Sequence, residues 1–176
     1  MIIIKTKIKD LLIIKQKNNI DKRGSLRETF NNKVLKKRFI FEYCTTSKKN
    51  VLRGFHFQTK FKQAKYVNVV KGKILDIVID LRKNSKTFGK TFKIVLSKKN
   101  ALGLFIPAGF GHAYYSYDKE NIIYYKLNNY YAPKYENGII FNDPIFKIKW
   151  PKKIIVSIKD RKLLSFENFI QKFKAI

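Results

Sequence analysis

The chain is short of several things, and each shortage narrows what it can be. Among its 176 residues there is one cysteine, Cys44, so neither an intramolecular disulfide framework nor a zinc site built from cysteines can form. A reducing, cytoplasmic setting is expected. No run of about 18 apolar residues is present, which argues against a membrane-crossing helix and against a membrane partner. The opening Met1-Ile2-Ile3-Ile4-Lys5 lacks the length and small-residue cleavage site of a signal peptide. Acidic residues are scarce, 12 against 39 Lys and Arg, for a net charge of +27. That excess raises polyanions as partners, but only six of the 39 are arginine (Arg23, Arg27, Arg38, Arg53, Arg82 and Arg161). Arginine is the side chain suited to bidentate recognition of phosphate and guanine. Pairs such as Lys48-Lys49, Lys98-Lys99 and Lys152-Lys153 fall near expected turns, where lysines are hydrated, so no specific nucleic-acid partner is expected.

What is present reads as β structure. The length suits one domain over residues 1–176 with a full apolar core. Helical spacing is rare through the first 150 residues, which run in short β-branched and aromatic pieces punctuated by Gly, Asn, Asp and Pro. That is the texture of a sandwich or barrel. Tyr66–Val70 and Ile74–Leu81, joined at Lys71-Gly72-Lys73, predict a tight hairpin. In the second strand, period two sets Leu75, Ile77, Ile79 and Leu81 against Ile74, Asp76, Val78 and Asp80. Further strands are predicted at 91–96, 102–106, 112–117, 122–127 and 138–141. Only the end changes period: Leu163, Phe166, Phe169, Ile170 and Phe173 predict a helix packed on the sheets, with Ser165 as its cap.

The chain has only two histidines, His56 and His112, each in a glycine-containing word: Val51-Leu52-Arg53-Gly54-Phe55-His56-Phe57-Gln58 and Ile106-Pro107-Ala108-Gly109-Phe110-Gly111-His112. Histidine takes and returns a proton near neutrality. Strand alternation sets His56 and Gln58 on one face with Gly54, and Arg53, Phe55 and Phe57 on the other. A glycine two residues before His56 is expected to leave space above the imidazole for something flat. Two histidines without a clear third ligand make a poor metal site, so no metal is expected.

Taken together, these words resemble, in order and over nearly the whole chain, the dTDP-4-dehydrorhamnose 3,5-epimerase family of cupin-like jelly rolls. Beyond the two histidine words the matching text includes Asp21-Lys22-Arg23-Gly24 with Glu28, Gln63-Ala64-Lys65-Tyr66-Val67, and Val78-Ile79-Asp80-Leu81-Arg82. It continues with Tyr125-Lys126 ahead of Tyr130-Tyr131-Ala132-Pro133, then Asn142-Asp143-Pro144, Trp150-Pro151 and Ser157-Ile158-Lys159-Asp160. The resemblance implies an all-β, cupin-type jelly-roll barrel with a short C-terminal helix, needing no cofactor and acting as a homodimer on a nucleotide-diphosphate sugar.

It also implies roles for particular residues. His56 matches the base that removes a proton beside a ketone, Lys65 the lysine at the keto oxygen, and Tyr125 the phenol that returns a proton from the other face. Asp160 matches the aspartate paired with the base, and Asp76, on the polar face of its strand, is a second candidate neighbour. Arg23 and Glu28 match residues that reach the nucleotide from a neighbouring subunit; Arg53, Gln58, His112 and Tyr131 match further substrate contacts. The family usually carries Gln and Asn two apart at the nucleotide end, where this chain has Phe41-Glu42-Tyr43. An aromatic usual after the Arg-Gly pair is Leu26 here. The base of the nucleotide therefore stays open, as does the choice between inverting carbons 3 and 5, a mono-epimerase and a ketoisomerase. A noncatalytic basic β module is the other class of reading.

Overall fold

The computed structural model describes all residues, Met1 to Ile176. Two antiparallel sheets face each other. The first has the order β1 (Ile2–Lys5), β2 (Leu12–Lys15), β10 (Leu102–Ile106), β7 (Lys65–Lys71), β12 (Glu120–Leu127), β5 (Phe41–Lys48). The second runs β13 (Glu136–Gly138), β6 (Leu52–Gln58), β11 (Phe110–Ser116), β8 (Lys73–Asp80), β9 (Thr91–Ser97). A separate two-stranded ribbon, β3 (Lys17–Asp21) and β4 (Gly24–Glu28), stands apart from both. This is the all-β architecture the residues predict and the cupin-like jelly roll the resemblance implies.

The predicted hairpin at Lys71-Gly72-Lys73 does not form. Strand β7 pairs with β10 and β12, while β8 pairs with β11 and β9, so the chain crosses from one sheet to the other at Gly72. Gly72 has φ +83°, and a Cβ there would stand 2.5 Å from Asn121 Oδ1 and 2.6 Å from the Glu120 carbonyl. Glycine thus serves a close crossing rather than a two-strand turn.

The space between the sheets is filled at one end and hollow at the other. Val67, Val69, Ile74, Val78, Leu96, Leu104, Ile106 and Ile123 close the filled end as a buried apolar cluster. Strand alternation carries Lys65 inward on the same face of β7 as Val67 and Val69, and Tyr125 inward with Ile123 and Leu127. The outer face of the second sheet is covered from the C-terminus. After two short helices, α1 (Asn32–Leu35) and α2 (Ile158–Arg161), helix α3 (Phe166–Phe173) is capped by Ser165, whose side chain accepts the Asn168 N–H, and packs Phe166 and the fully buried Phe169 on Phe55, Phe57, Ile77, Ile79 and Leu81. Both faces of β8 are therefore buried, which its alternating pattern did not distinguish from a half-exposed strand.

Candidate active site

At the hollow end lies a cavity of about 290 Å³ lined by Phe41 and Tyr43 of β5, His56, Phe57 and Gln58 of β6, Gln63 and Lys65 at the start of β7, Tyr131, and Glu136 of β13. Ligand cavities run from about 300 to 1,000 Å³, so this one suits a sugar ring, with anything attached to it lying toward the mouth.

His56 is held by a buried carboxylate. Its Nε2 donates to Asp160 Oδ1 at 2.9 Å, and the other carboxylate oxygen accepts the Gly54 N–H at 3.0 Å. Asp160 comes from the short helix α2 (Ile158–Arg161), whose cap is Ser157; it does not open the terminal helix. Burial pushes its carboxyl up, but the hydrogen bond and charge of His56 and the Gly54 N–H outweigh that, and it sits below the ordinary value. With Nε2 committed, Nδ1 is the nitrogen left to take a proton.

The space expected beside Gly54 is occupied. A Cβ there would lie 2.3 Å from the His112 carbonyl and 2.8 Å from the Ala113 Cα. The glycine, at φ +106°, lets β11 press against β6, and the register between the two strands shifts between His112 and Tyr114. The same irregularity breaks the expected alternation. Phe55 and Phe57 face the outer cluster, but the Arg53 guanidinium turns inward, Nε donating to Ser47 Oγ at 3.4 Å. Ser47 in turn bonds the Tyr114 hydroxyl at 2.9 Å.

Lys65 is half-buried, and burial brings its ammonium down to about 8 against the opposing pull of Glu136 and Asp76. Tyr125 is 3% exposed and does not line the cavity; its ring is covered by Tyr43, stacked at 4.8 Å between centroids and 24° between planes. Burial, with Tyr114, Tyr43 and Asp76 nearby, pushes the Tyr125 phenol well above its ordinary value. Asp76 is not the partner of His56. It accepts from His112 Nε2 at 2.8 Å, and its other oxygen has no hydrogen-bond partner within the chain. His112, opposite His56 in the strand register, lies buried with its ring edge-on to Tyr125 at 6.1 Å. It stands behind the cavity wall, not on it.

Gln58 lines the cavity but spends its amide on backbone: Nε2 donates to the Phe61 carbonyl at 2.8 Å, and Oε1 accepts the Ala132 N–H at 2.9 Å. It shapes the loop that carries Tyr131. The Tyr131 hydroxyl donates to Glu136 Oε2 at 2.8 Å, and Lys159 pairs with the same carboxylate. Burial pushes the Glu136 carboxyl up, yet Lys159 and Tyr131 hold it below the ordinary value. Glu136 and Lys159 carry no role in the sequence reading; Glu136, one of only 12 acids, is the cavity's carboxylate. Arg23 and Glu28 are elsewhere. The ribbon β3–β4 is anchored near the Gly72 end of β7 by Arg27, which donates to the Val69 carbonyl at 2.8 Å, whereas Lys65 begins that strand at the cavity. Arg23 is exposed and pairs with Asp21.

The hollow end of the jelly roll thus gathers an oriented imidazole, a partly desolvated ammonium and stacked phenols, groups able to give and take protons. Residues 5–168 match the family model of dTDP-4-dehydrorhamnose 3,5-epimerase. The chain is 40% identical over 167 residues to the dTDP-4-dehydrorhamnose 3,5-epimerase of Methanothermobacter thermautotrophicus, covering 90% of each chain. Among solved structures, it is similar to the dTDP-6-deoxy-D-glucose-3,5-epimerase of Legionella pneumophila in complex with dTDP-4-keto-L-rhamnose (TM-score 0.89, 35% identity, 94% of this chain and 92% of that one). It is also similar to a 4-keto-6-deoxy sugar epimerase from the novobiocin biosynthetic gene cluster of Streptomyces spheroides (TM-score 0.93, 26% identity, 97% and 90%). The chain belongs to the dTDP-4-dehydrorhamnose 3,5-epimerase family and is an isomerase acting on nucleotide sugars.

Proposed function

We propose that the protein inverts carbon 3, carbon 5 or both in a dTDP-linked 4-keto-6-deoxyhexose by way of an enolate. A hydrogen beside a ketone becomes acidic only when the electrons it leaves behind flow onto the carbonyl oxygen. His56 Nδ1 takes that hydrogen, with Asp160 steadying the imidazolium that forms; general-base catalysis of this kind contributes about 10²–10⁴-fold. Lys65 donates to the keto oxygen, where a fixed positive charge in a dry cavity stabilises the enolate better than water does. Tyr125, whose ring face is covered by Tyr43, returns a proton to the opposite face of the sugar through the hydroxyl at its ring edge, which completes the inversion. Asp76 and His112 act behind it, fixing the edge of the Tyr125 ring. Gln58 and Tyr131 hold the wall against which the sugar rests, and Arg53 offers charge to the diphosphate.

The observation that carries this reading is that His56 and Lys65, on strands of opposite sheets, line one cavity of sugar size, with Asp160, 104 positions beyond His56, bonded to the back of the imidazole. The nucleotide arm is assigned to a second copy. Arg23 and Glu28 stand on a ribbon away from their own cavity, and that ribbon exposes Ile20 at 75% and Leu26 at 70%, apolar surface that a homodimer would cover. The lone Cys44, a free and exposed thiol, fits a reducing cytoplasmic setting. The +27 charge attracts any nucleoside diphosphate and speeds encounter without choosing a base or implying a nucleic-acid partner.

Turnover of a panel of dTDP- and UDP-linked 4-keto-6-deoxy sugars tests the proposal: epimerised product is expected from the dTDP sugar. A panel in which no sugar reacts overturns it.

A further inference from the structure

We propose that Tyr43 is a positioning residue for the return of the proton, its ring holding the Tyr125 phenol in the one orientation from which inversion can occur. This deepens the function proposed above and rests on it.

Tyr43 and Tyr125 are directly opposed in the antiparallel register of β5 and β12, both on the inner face. Opposed residues on such a pair bring their Cβ atoms to about 5 Å, and here the two rings lie face to face at 4.8 Å and 24°. Tyr43 is the ring that faces the cavity, beside His56 and Lys65, while Tyr125 is covered by it. Tyr125 is thus bounded on one face by Tyr43 and at its edge by His112, which Asp76 fixes at 2.8 Å. The His112 side is buried. The Tyr43 side is the one a substrate would touch. Tyr43 is itself braced by Phe41, a second ring of the cavity lining, at 5.7 Å, and Phe41 by the exposed Tyr130 at 6.0 Å.

The chemical consequence follows from the two faces of the enolate. Once His56 has taken the hydrogen, the carbanion carbon is reprotonated either by the phenol on the far face, giving inversion, or by the imidazolium on the near face, giving back the starting sugar. When solvent hydrogen has entered the imidazolium, that near-face return appears as exchange without inversion. A ring that fixes Tyr125 and keeps water off its face favours the first outcome. Stacked aromatic pairs contribute enough to alter such a partition by roughly threefold to tenfold.

The experiment is run in heavy water with the full-length protein and dTDP-4-keto-6-deoxyglucose, measuring deuterium entry and inverted product together. Tyr43→Leu is expected to lower the ratio of inversion to exchange by roughly threefold to tenfold, while Tyr43→Phe, which keeps the ring and loses the hydroxyl, restores it. Tyr43→Thr, suited to a strand, carries the same expectation as Tyr43→Leu should that variant fold poorly. A ratio equal to that of the unaltered protein in Tyr43→Leu or Tyr43→Thr overturns the inference. So does a Tyr43→Phe ratio as low as theirs, because the hydroxyl and not the ring would then be acting. Failure of the unaltered protein to exchange deuterium at all would instead overturn the epimerase reading, and this inference with it.

Discussion

Asp160 holds His56 through two positions of one strand at once: Oδ1 takes the imidazole Nε2–H at 2.9 Å and Oδ2 takes the backbone N–H of Gly54 at 3.0 Å, two residues before it. The carboxylate therefore fixes both the tautomer of the ring and the segment that carries it. Asp160→Asn keeps the size of the side chain but loses the charge that stabilises an imidazolium. The expected result is a loss of about 10²-fold or more in kcat/KM with the fold intact, checked by steady-state kinetics alongside circular dichroism.

Gly54 is the structural counterpart of that arrangement. Any Cβ at this position meets the His112 carbonyl at 2.3 Å, and φ is +106°. Gly54→Ala is expected to destabilise the protein by about 3 kcal/mol or more, seen as a lower midpoint in urea, because the obstacle is backbone and cannot swing aside.

Lys65 should set the alkaline limb of activity. Its ammonium, brought down to about 8 by burial, is protonated below that pH and neutral above it, so turnover falls as pH rises through about 8. In the unfolded chain the same lysine stays charged to about 10.5. Between these values the folded protein binds fewer protons than the unfolded one, and stability contributed by this group rises with pH. Lys65→Met removes the cost of burying the charge. It is expected to stabilise the fold by about 1–3 kcal/mol at pH 7 while abolishing most turnover, a trade between stability and activity.

Asp80 supplies a contrast remote from the chemistry. Its fully buried carboxylate accepts from Arg82 Nε at 2.9 Å, Ser85 Oγ at 2.6 Å and Thr87 Oγ1 at 2.6 Å. Burial pushes its carboxyl up, but these partners outweigh that and hold it below the ordinary value. The stability it contributes is present above about pH 4 and is lost as pH falls through the folded value. Asp80→Asn is expected to cost about 3–5 kcal/mol and to flatten the acid limb of the stability curve, leaving the ratio of inversion to exchange as it was.

The strands whose bounds the residues announce are those with turn signals at both ends: 102–106 is the span of β10, and the helical spacing after Ser165 is α3. The crossing at Gly72 was not legible, because a glycine between two apolar strands serves a hairpin and a sheet-to-sheet crossing equally well. The choice is made by β10, β11 and β12, which lie tens of residues further along. The face of Arg53 was hidden for a related reason, since period two holds only until a strand irregularity breaks it. In the site, His56, Lys65 and Asp160 were named from motif words, and the structure adds the bond between His56 and Asp160 and the cavity that His56 and Lys65 share. Tyr43 was marked only as a departure from the family's Gln and Asn at the nucleotide end; its pairing with a residue 82 positions away is what gives it a neighbour in the chemistry. Glu136 was likewise one polar residue in a loop until Tyr131 and Lys159 closed on it.

Tyr125→Phe separates the two half-reactions. With the base intact and the returning phenol gone, deuterium should still enter beside the ketone, at a rate within about tenfold of the unaltered protein, while inverted product falls by about 10²-fold or more. Mass spectrometry of the recovered sugar, with chiral analysis of the product, reads both.

The central claim, that one imidazole opens the enolate, is tested most directly by following solvent deuterium into dTDP-4-keto-6-deoxyglucose with the unaltered protein and with His56→Asn. The account predicts label at each carbon that is inverted, and its loss by at least about 10²-fold in His56→Asn. Label entering at an undiminished rate without His56, or not at all with it, would contradict the account.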